Sequence, residues 1–204
     1  MKKLFLSSSF ADVTDGFRHF LSNVGPVTNV AFIPTASTVE KITFYVKSGR
    51  KALEHLGLTI VDLDISQVSE TTMRDTLEKA DLVYVTGGNT FFLLQELKRT
   101  KADQLLSYLI AQGKPYVGES AGAMILAPSI DYVKAMDSVK KAPLLASHEA
   151  LGVVDFYPVP HVGEFPFKKA GEKIKQEYQS SRTLYPINNH QAIVVLGARI
   201  EVVG

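Results

Sequence analysis

A chain of 204 residues, 46% hydrophobic and 21% charged, has the length and composition of one globular domain, residues 1–204. Its formal net charge of +1 builds no broad positive field, which argues against nucleic acid or an anionic membrane as partner. It has no cysteine, so disulfides, thiolate nucleophiles and zinc–thiolate sites are excluded.

The basic start, Met1-Lys2-Lys3, runs into an apolar Leu4-Phe5-Leu6. Ser7-Ser8-Ser9 and Asp12 end that run too early for a signal segment, and no stretch is long enough to span a membrane. The expected compartment is therefore the cytoplasm. Leu4–Ser7 reads as a strand, Asp12–Leu21 as a helix with Phe17, Phe20 and Leu21 on one face, and Val27–Pro34 as a buried strand. Ser37 and Glu40 have capping-box spacing, which predicts a helix from there to Leu56, stopped by Gly57. Leu58–Leu63 is a strand, Thr72–Ala80 a helix and Asp81–Thr86 a strand. Helical patterns follow at Phe91–Arg99 and Ala102–Gln112, then a short strand at Lys114–Gly118. This alternation predicts a mainly parallel sheet with helices on both faces. Asp131–Leu151 has no clear pattern. Beyond it, Val153–Pro160 reads as a strand and Phe167–Tyr178 as a helix. Thr183–Ile187, Ala192–Leu196 and Arg199–Val203 read as closing strands.

Two glycine-containing turns follow strands. Gly118-Glu119-Ser120-Ala121-Gly122-Ala123 is a G-x-S-x-G pattern between a short strand and a small-residue segment. A nucleophile on a tight strand-to-helix turn sits in a strained conformation and needs small neighbours. The turn lifts the Ser120 hydroxyl above the sheet edge and aims the Ala121 N–H at a developing oxyanion, with a helix N-terminus behind it. Without chemistry, the same pattern is only a packing turn or a phosphate loop. The second turn, Thr86-Gly87-Gly88-Asn89-Thr90, lies at a strand's carboxyl end, where open parallel sheets bind ligands. It offers the Gly88 N–H as a second oxyanion donor, each such donor being worth about 3 kcal/mol, and Asn89 as a substrate contact. Its plainer use is a turn in which Asn89 or Thr90 caps the next helix.

A serine nucleophile needs a base with a pKa near neutral. Of the five histidines, His19 and His55 fall on early helices, His148 in the unpatterned stretch and His190 in an Asn-rich loop. His161 follows a strand and opens a glycine-containing loop, the expected place for a triad base. The acid is open among Asp131, Asp137, Glu149 and Glu164. The chain order serine, acid, histidine narrows it to Asp131, Asp137 and Glu149, and a serine–histidine pair without a carboxylate is the other choice.

The segments "LFLSSS", "VAFIPTAS", "VTGGNTFFLL", "GESAGAMILAPSI" and "FYPVPH" resemble, in order, the serine peptidase family of dipeptidase E (aspartyl dipeptidase) and cyanophycinase. The resemblance implies a flavodoxin-like α/β fold, similar to class I glutamine amidotransferases with serine in place of cysteine. It implies Ser120 as nucleophile, His161 as catalytic histidine, and Gly88 with Ala121 as oxyanion donors. Where dipeptidase E has its acid in an Asn-Asp-Met-Pro stretch, this chain has Lys134-Ala135-Met136-Asp137. Ala135 stands at the acid's place and Asp137 is the nearest carboxylate. Where dipeptidase E has Gly-Glu-Thr-Arg, this chain has no arginine, only Lys168 and Lys169 nearby. The expected activity is hydrolysis of short peptides through an acyl-enzyme, with no metal or cofactor. The alternatives are another serine hydrolase (esterase, amidase or cyanophycinase-like) and a degenerate binding module on the same fold. A flavin or nucleotide binder fits less well, since neither turn is G-x-G-x-x-G or a P-loop.

Overall fold

The computed structural model describes residues 1–204. A seven-stranded sheet organises it. Five strands are mutually parallel: β1 (Lys3–Ser7), β2 (Asn29–Ile33), β3 (Thr59–Asp62), β4 (Leu82–Val85) and β5 (Tyr116–Glu119). A two-stranded parallel ribbon, β6 (Tyr157–Val159) with β7 (Leu184–Pro186), stands apart from it. The antiparallel strands β8 (Ala192–Leu196) and β9 (Arg199–Val203) complete the large sheet, in the order β3-β2-β4-β5-β1-β8-β9. Counted from β2, the parallel strands have the 2-1-3-4-5 arrangement of flavodoxin-like sheets, with β1 in the fifth place.

The central strands are apolar on both faces, as a doubly covered parallel sheet requires. Leu4, Leu6, Ala31, Ile33, Val83 and Val85 face one core, under α3 (Glu70–Lys79), α4 (Thr90–Thr100) and α5 (Ala102–Ala111). Their alternates Phe5, Val30, Phe32, Leu82, Tyr84 and Val117 face the other, under α1 (Thr14–Val24) and α2 (Phe44–His55). The second core is aromatic, with Phe10 edge-on to Phe17 at 4.9 Å and to Tyr84 at 5.0 Å.

Three expectations need correction. The helix expected from Ser37 begins only at Phe44. Ser37 caps nothing: its hydroxyl donates to the Pro34 carbonyl in a 3-10 turn, and Glu40 pairs with Lys141 instead. Gly57 does end that helix, at φ 80°. The Val153–Pro160 run shortens to β6, and β7 joins it rather than closing the large sheet. The unpatterned stretch contains 3-10 turns at Asp131–Ala135 and Val139–Lys141 and no longer element.

Arg182 ties this second half together. It donates to both Asp131 oxygens, at 2.6 and 2.8 Å, and lies over the Tyr157 and Tyr178 rings. The guanidinium hydrogen bond holds the Asp131 carboxyl at about 2, below its ordinary 3.8. A depressed carboxyl stabilises the folded state fully above its unfolded pKa, and the contribution is lost as pH falls through the folded value. Acid titration of stability should therefore show a loss between about pH 4 and pH 2. Asp131→Asn should remove that segment of the curve, as followed by urea midpoints at each pH.

Candidate active site

The carboxyl edge of the parallel strands carries the reactive groups. Ser120 follows β5 with φ 49° and ψ −103°, outside the ordinary regions for a side-chain-bearing residue. Its N–H donates to the Ser7 carbonyl at 2.8 Å, which pins the turn to β1. The flanking glycines are steric necessities. A Cβ at Gly118 would lie 2.3 Å from the Gly122 carbonyl oxygen, and one at Gly122 would lie 2.2 Å from that of Val85. The helix after the turn, α6 (Ala121–Met124), is a single turn. The helix-terminus potential expected behind Ser120 is therefore small, because few peptide dipoles are aligned there.

His161 follows β6, with φ 61°. Its N–H donates to the Ser8 hydroxyl at 3.0 Å, and Ser8 donates on to the Ile187 carbonyl. These bonds place its Nε2 at 2.9 Å from Ser120 Oγ. Its Nδ1 is 2.8 Å from Asn189 Oδ1. Burial pushes the imidazole below its ordinary value, partly offset by the Asn189 hydrogen bond and by Glu164. It is thus neutral at neutral pH. With the proton on Nδ1, bonded to the amide oxygen, Nε2 is free to accept from Ser120. Phe167 stacks on the ring at 4.9 Å.

Asn189 was not among the sequence candidates, and no carboxylate occupies its place. The order serine, acid, histidine directs the search to residues between 120 and 161. Asn189 instead precedes β8. Because β8 runs antiparallel to β1, with Ala192 opposite Ser7, a residue entering β8 reaches the same sheet edge as one leaving β1. The legible signal was the short polar run Asn188–Gln191 just before a strand. That loop braces itself: the Asn188 N–H donates to Gln191 Oε1 and the His190 N–H to Asn188 Oδ1.

Asp137, the nearest carboxylate to the family position, works elsewhere. It accepts from the Thr90 N–H at 2.8 Å and the Thr90 hydroxyl at 2.6 Å. Asn89 does not present a substrate contact either. It is 1% exposed, accepts from the Phe92 N–H and donates to the Ser138 carbonyl. Together Asn89 and Asp137 cap α4 and bind the 137–138 segment to it. Asp131 is engaged by Arg182, the Glu149 backbone pairs with Ser129 in an isolated bridge, and Ala135 ends a 3-10 turn.

The Gly87-Gly88 turn does lie beside Ser120. A Cβ at Gly87 would be 3.4 Å from Ser120 Cβ and 3.4 Å from the Tyr45 ring. Gly88 has φ 137°, and a Cβ there would come within 2.2 Å of the Ala36 backbone. The Asn89 N–H donates to the Ala36 carbonyl, so the turn is seated on the loop after β2.

The pattern of peptidase family S51 matches residues 4–203. The chain belongs to this family. An uncharacterized peptidase of Listeria innocua is 55% identical to this chain over 195 residues, 96% of this chain and 93% of its own. Peptidase E of Shewanella putrefaciens is 34% identical over 167 residues, 79% of this chain and 67% of its own. The crystal structure of a Listeria monocytogenes EGD-e protein assigned as a peptidase E is 53% identical. It superposes with a TM-score of 0.94 over 99% of this chain and 98% of its own. A peptidase structure from an acI-B1 Actinobacterium, at 21% identity and a TM-score of 0.68, covers 100% of this chain and 88% of its own, and shares the fold. The chain is thus a dipeptidase E-like peptidase on a mainly parallel α/β sheet, as the sequence resemblance implied. No helix is long and apolar enough to cross a membrane.

Proposed function

We propose that this S51 peptidase cleaves short peptides in the cytoplasm through an acyl-enzyme on Ser120, with His161 as base and Asn189 as its orienting partner. The observation that carries the proposal is the chain of contacts from Ser120 Oγ to His161 Nε2 at 2.9 Å and from His161 Nδ1 to Asn189 Oδ1 at 2.8 Å. His161 takes the hydroxyl proton as Ser120 attacks the peptide carbonyl. The N–H groups of Gly88 and Ala121 receive the oxyanion. The imidazolium then protonates the leaving amine, and water repeats the sequence in reverse to free the acyl group. The cycle calls for no metal or organic cofactor. Ser120 serves as the nucleophile elbow of a single domain, and its strain holds the hydroxyl above the sheet.

In this proposal aspartyl peptides hold no advantage, because the arginine of the dipeptidase E segment has no counterpart in this chain. Burial, with the charges of Glu40, Glu119 and Asp137, pushes the phenol of Tyr45, beside Gly87, well above the ordinary range. Lys141 is committed to Glu40, and Lys168 and Lys169 are exposed at the start of α7 (Lys168–Tyr178).

A fluorophosphonate probe with a matched peptide and ester panel tests both statements. Folded protein should be labelled on Ser120, and aspartyl peptides should be cleaved no faster than leucyl or phenylalanyl ones. Esters cleaved without any peptide would make it an esterase. No labelling of folded protein would leave a binding module. Faster aspartyl cleavage would overturn the statement about aspartyl peptides.

A further inference from the structure

Core packing does not account for Phe167. The residue is half-buried, yet it belongs to neither hydrophobic core and packs against neither. The one aromatic group it meets is the His161 imidazole, at 4.9 Å between ring centres and 26° between planes. His148 makes the contrasting contact: it meets the fully buried ring of Phe91 edge-on, at 61°.

Backbone bonds on both sides build the stack. The Glu164 N–H donates to the His161 carbonyl at 3.1 Å, so the chain turns back directly after the histidine. Helix α7 starts from the returning segment, with the Gly171 N–H donating to the Phe167 carbonyl at 2.9 Å. A Cβ at Gly171 would lie 3.6 Å from Val162 Cα, so the first turn of α7 rests on the residue after His161. The Val162 N–H is in turn fixed to the Ile187 carbonyl at 3.0 Å. The Phe167 ring is thereby laid on a face of the imidazole, while the two ring nitrogens keep Ser120 and Asn189 as partners.

The face of a benzene ring carries the negative part of its quadrupole. Against a neutral imidazole it makes an ordinary stack. Against an imidazolium it makes a cation–π contact, which Phe gives within about 6 Å. His161 becomes a cation only during turnover. Its Nε2 takes the Ser120 proton as Oγ bonds to the substrate carbonyl carbon, and the charge stays until that proton passes to the leaving amine. A contact that strengthens only in that interval speeds the chemical step without tightening substrate binding. The need for it is plain at Nδ1, where a neutral amide oxygen stands in place of a carboxylate.

We infer that Phe167 is a positioning residue of the S51 site, which holds the plane of the His161 ring and stabilises its imidazolium by stacking on its face. This role rests on the acyl-enzyme reading above and adds to it a support for the charge on the base. Few other groups face the ring. Glu164, from the same turn, is the one charge acting on it, and Asn189 and Ser120 are neutral. Lys168 and Lys169 of α7 and His190 of the loop before β8 are exposed. Burial lowers the proton affinity of the imidazole, and any large apolar side chain at 167 keeps that cover. Only an aromatic one also attracts the cation, so leucine and tryptophan separate the two effects.

The test is the rate of Ser120 acylation by a fluorophosphonate from about pH 5 to 9, with steady-state peptide kinetics and thermal melts, for the wild type, Phe167→Leu and Phe167→Trp. Phe167→Leu should lower kcat and the acylation plateau by about 3- to 30-fold, with KM changed by less than about threefold. Its acid limb should move to lower pH, by about 0.5 to 1.5, because the imidazolium has lost its support. Phe167→Trp, with the stronger cation–π ring, should keep at least the wild-type rate and move the limb to higher pH. An unmoved limb in folded Phe167→Leu would overturn the inference, whatever its melting temperature, and leave Phe167 a packing residue. A limb moved to higher pH would overturn it too, because the ring would then act only as a cover against water. If Phe167→Leu does not fold, Phe167→Trp decides: a limb at higher pH supports the role, and an unmoved or lowered one removes it. A wild type that is never acylated would remove the acyl-enzyme reading itself, and the stacking role with it. A wild type that is acylated, with an unmoved limb in Phe167→Leu, would remove the stacking role alone.

Discussion

Ser120→Ala is expected to lower peptide turnover on the order of a million-fold without unfolding the protein, and Ser120→Gly to do the same while raising the melting temperature. The loss follows from removing the only oxygen within reach of His161 Nε2, at 2.9 Å. The gain in stability follows from the backbone. At φ 49° and ψ −103° a side-chain-bearing residue is strained by roughly 1–3 kcal/mol, and alanine keeps that strain while glycine relieves it. Glycine also costs about 0.5–1 kcal/mol through the freer unfolded chain. The net is a gain of about 1 kcal/mol, or about 2–4 °C for a chain of this size. Residual peptidase activity in Ser120→Ala, beyond trace wild-type contamination, would exclude Ser120 as nucleophile. A Ser120→Gly variant that melts below Ser120→Ala would mean the turn is not strained.

The second large effect belongs to Asn189. Asn189→Ala is expected to reduce kcat by about a hundredfold to ten-thousandfold with little change in KM. Its amide oxygen is what fixes the Nδ1–H tautomer of His161, and without it the ring is free to protonate on Nε2, which cannot then accept from Ser120. Asn189→Asp should act in the opposite sense on the base. A carboxylate at 2.8 Å would favour the imidazolium, raise the His161 pKa, and move the acid limb of the rate profile to higher pH. Because a base must be neutral to act, this variant should be slower than wild type at low pH and at least as fast above the limb. The pH dependence of acylation in both variants checks the assignment. An unchanged limb in Asn189→Asp would show that residue 189 does not set the histidine's proton affinity.

Local chemistry made much of this protein readable before folding. The buried strands announce themselves as apolar runs, because a parallel sheet covered on both faces has no polar side to alternate with. Gly118 and Gly122 flank Ser120 because any Cβ there meets backbone, so the turn at Ser120 leaves a fixed sequence pattern. The capping box at Ser37 misled for the opposite reason. Its reciprocal bonds are not made: the Ser37 hydroxyl donates to the Pro34 carbonyl, Glu40 pairs with Lys141, and the same turn seats Gly88 and Asn89 on Ala36.

What the sequence determined by itself was the family, the alternation of strands and helices, and the pair of glycine turns that follow β4 and β5. Each is set by residues close together in the chain. What only the tertiary structure decided was the company each site residue keeps. Asp137 and Asn89 look like chemistry and serve as caps for α4, while Asn189 looks like a loop and meets His161. The reason is strand direction. An antiparallel β8 beside a parallel β1 brings residue 189 to the edge where Ser120 stands, and no short-range pattern encodes which way a distant strand will run.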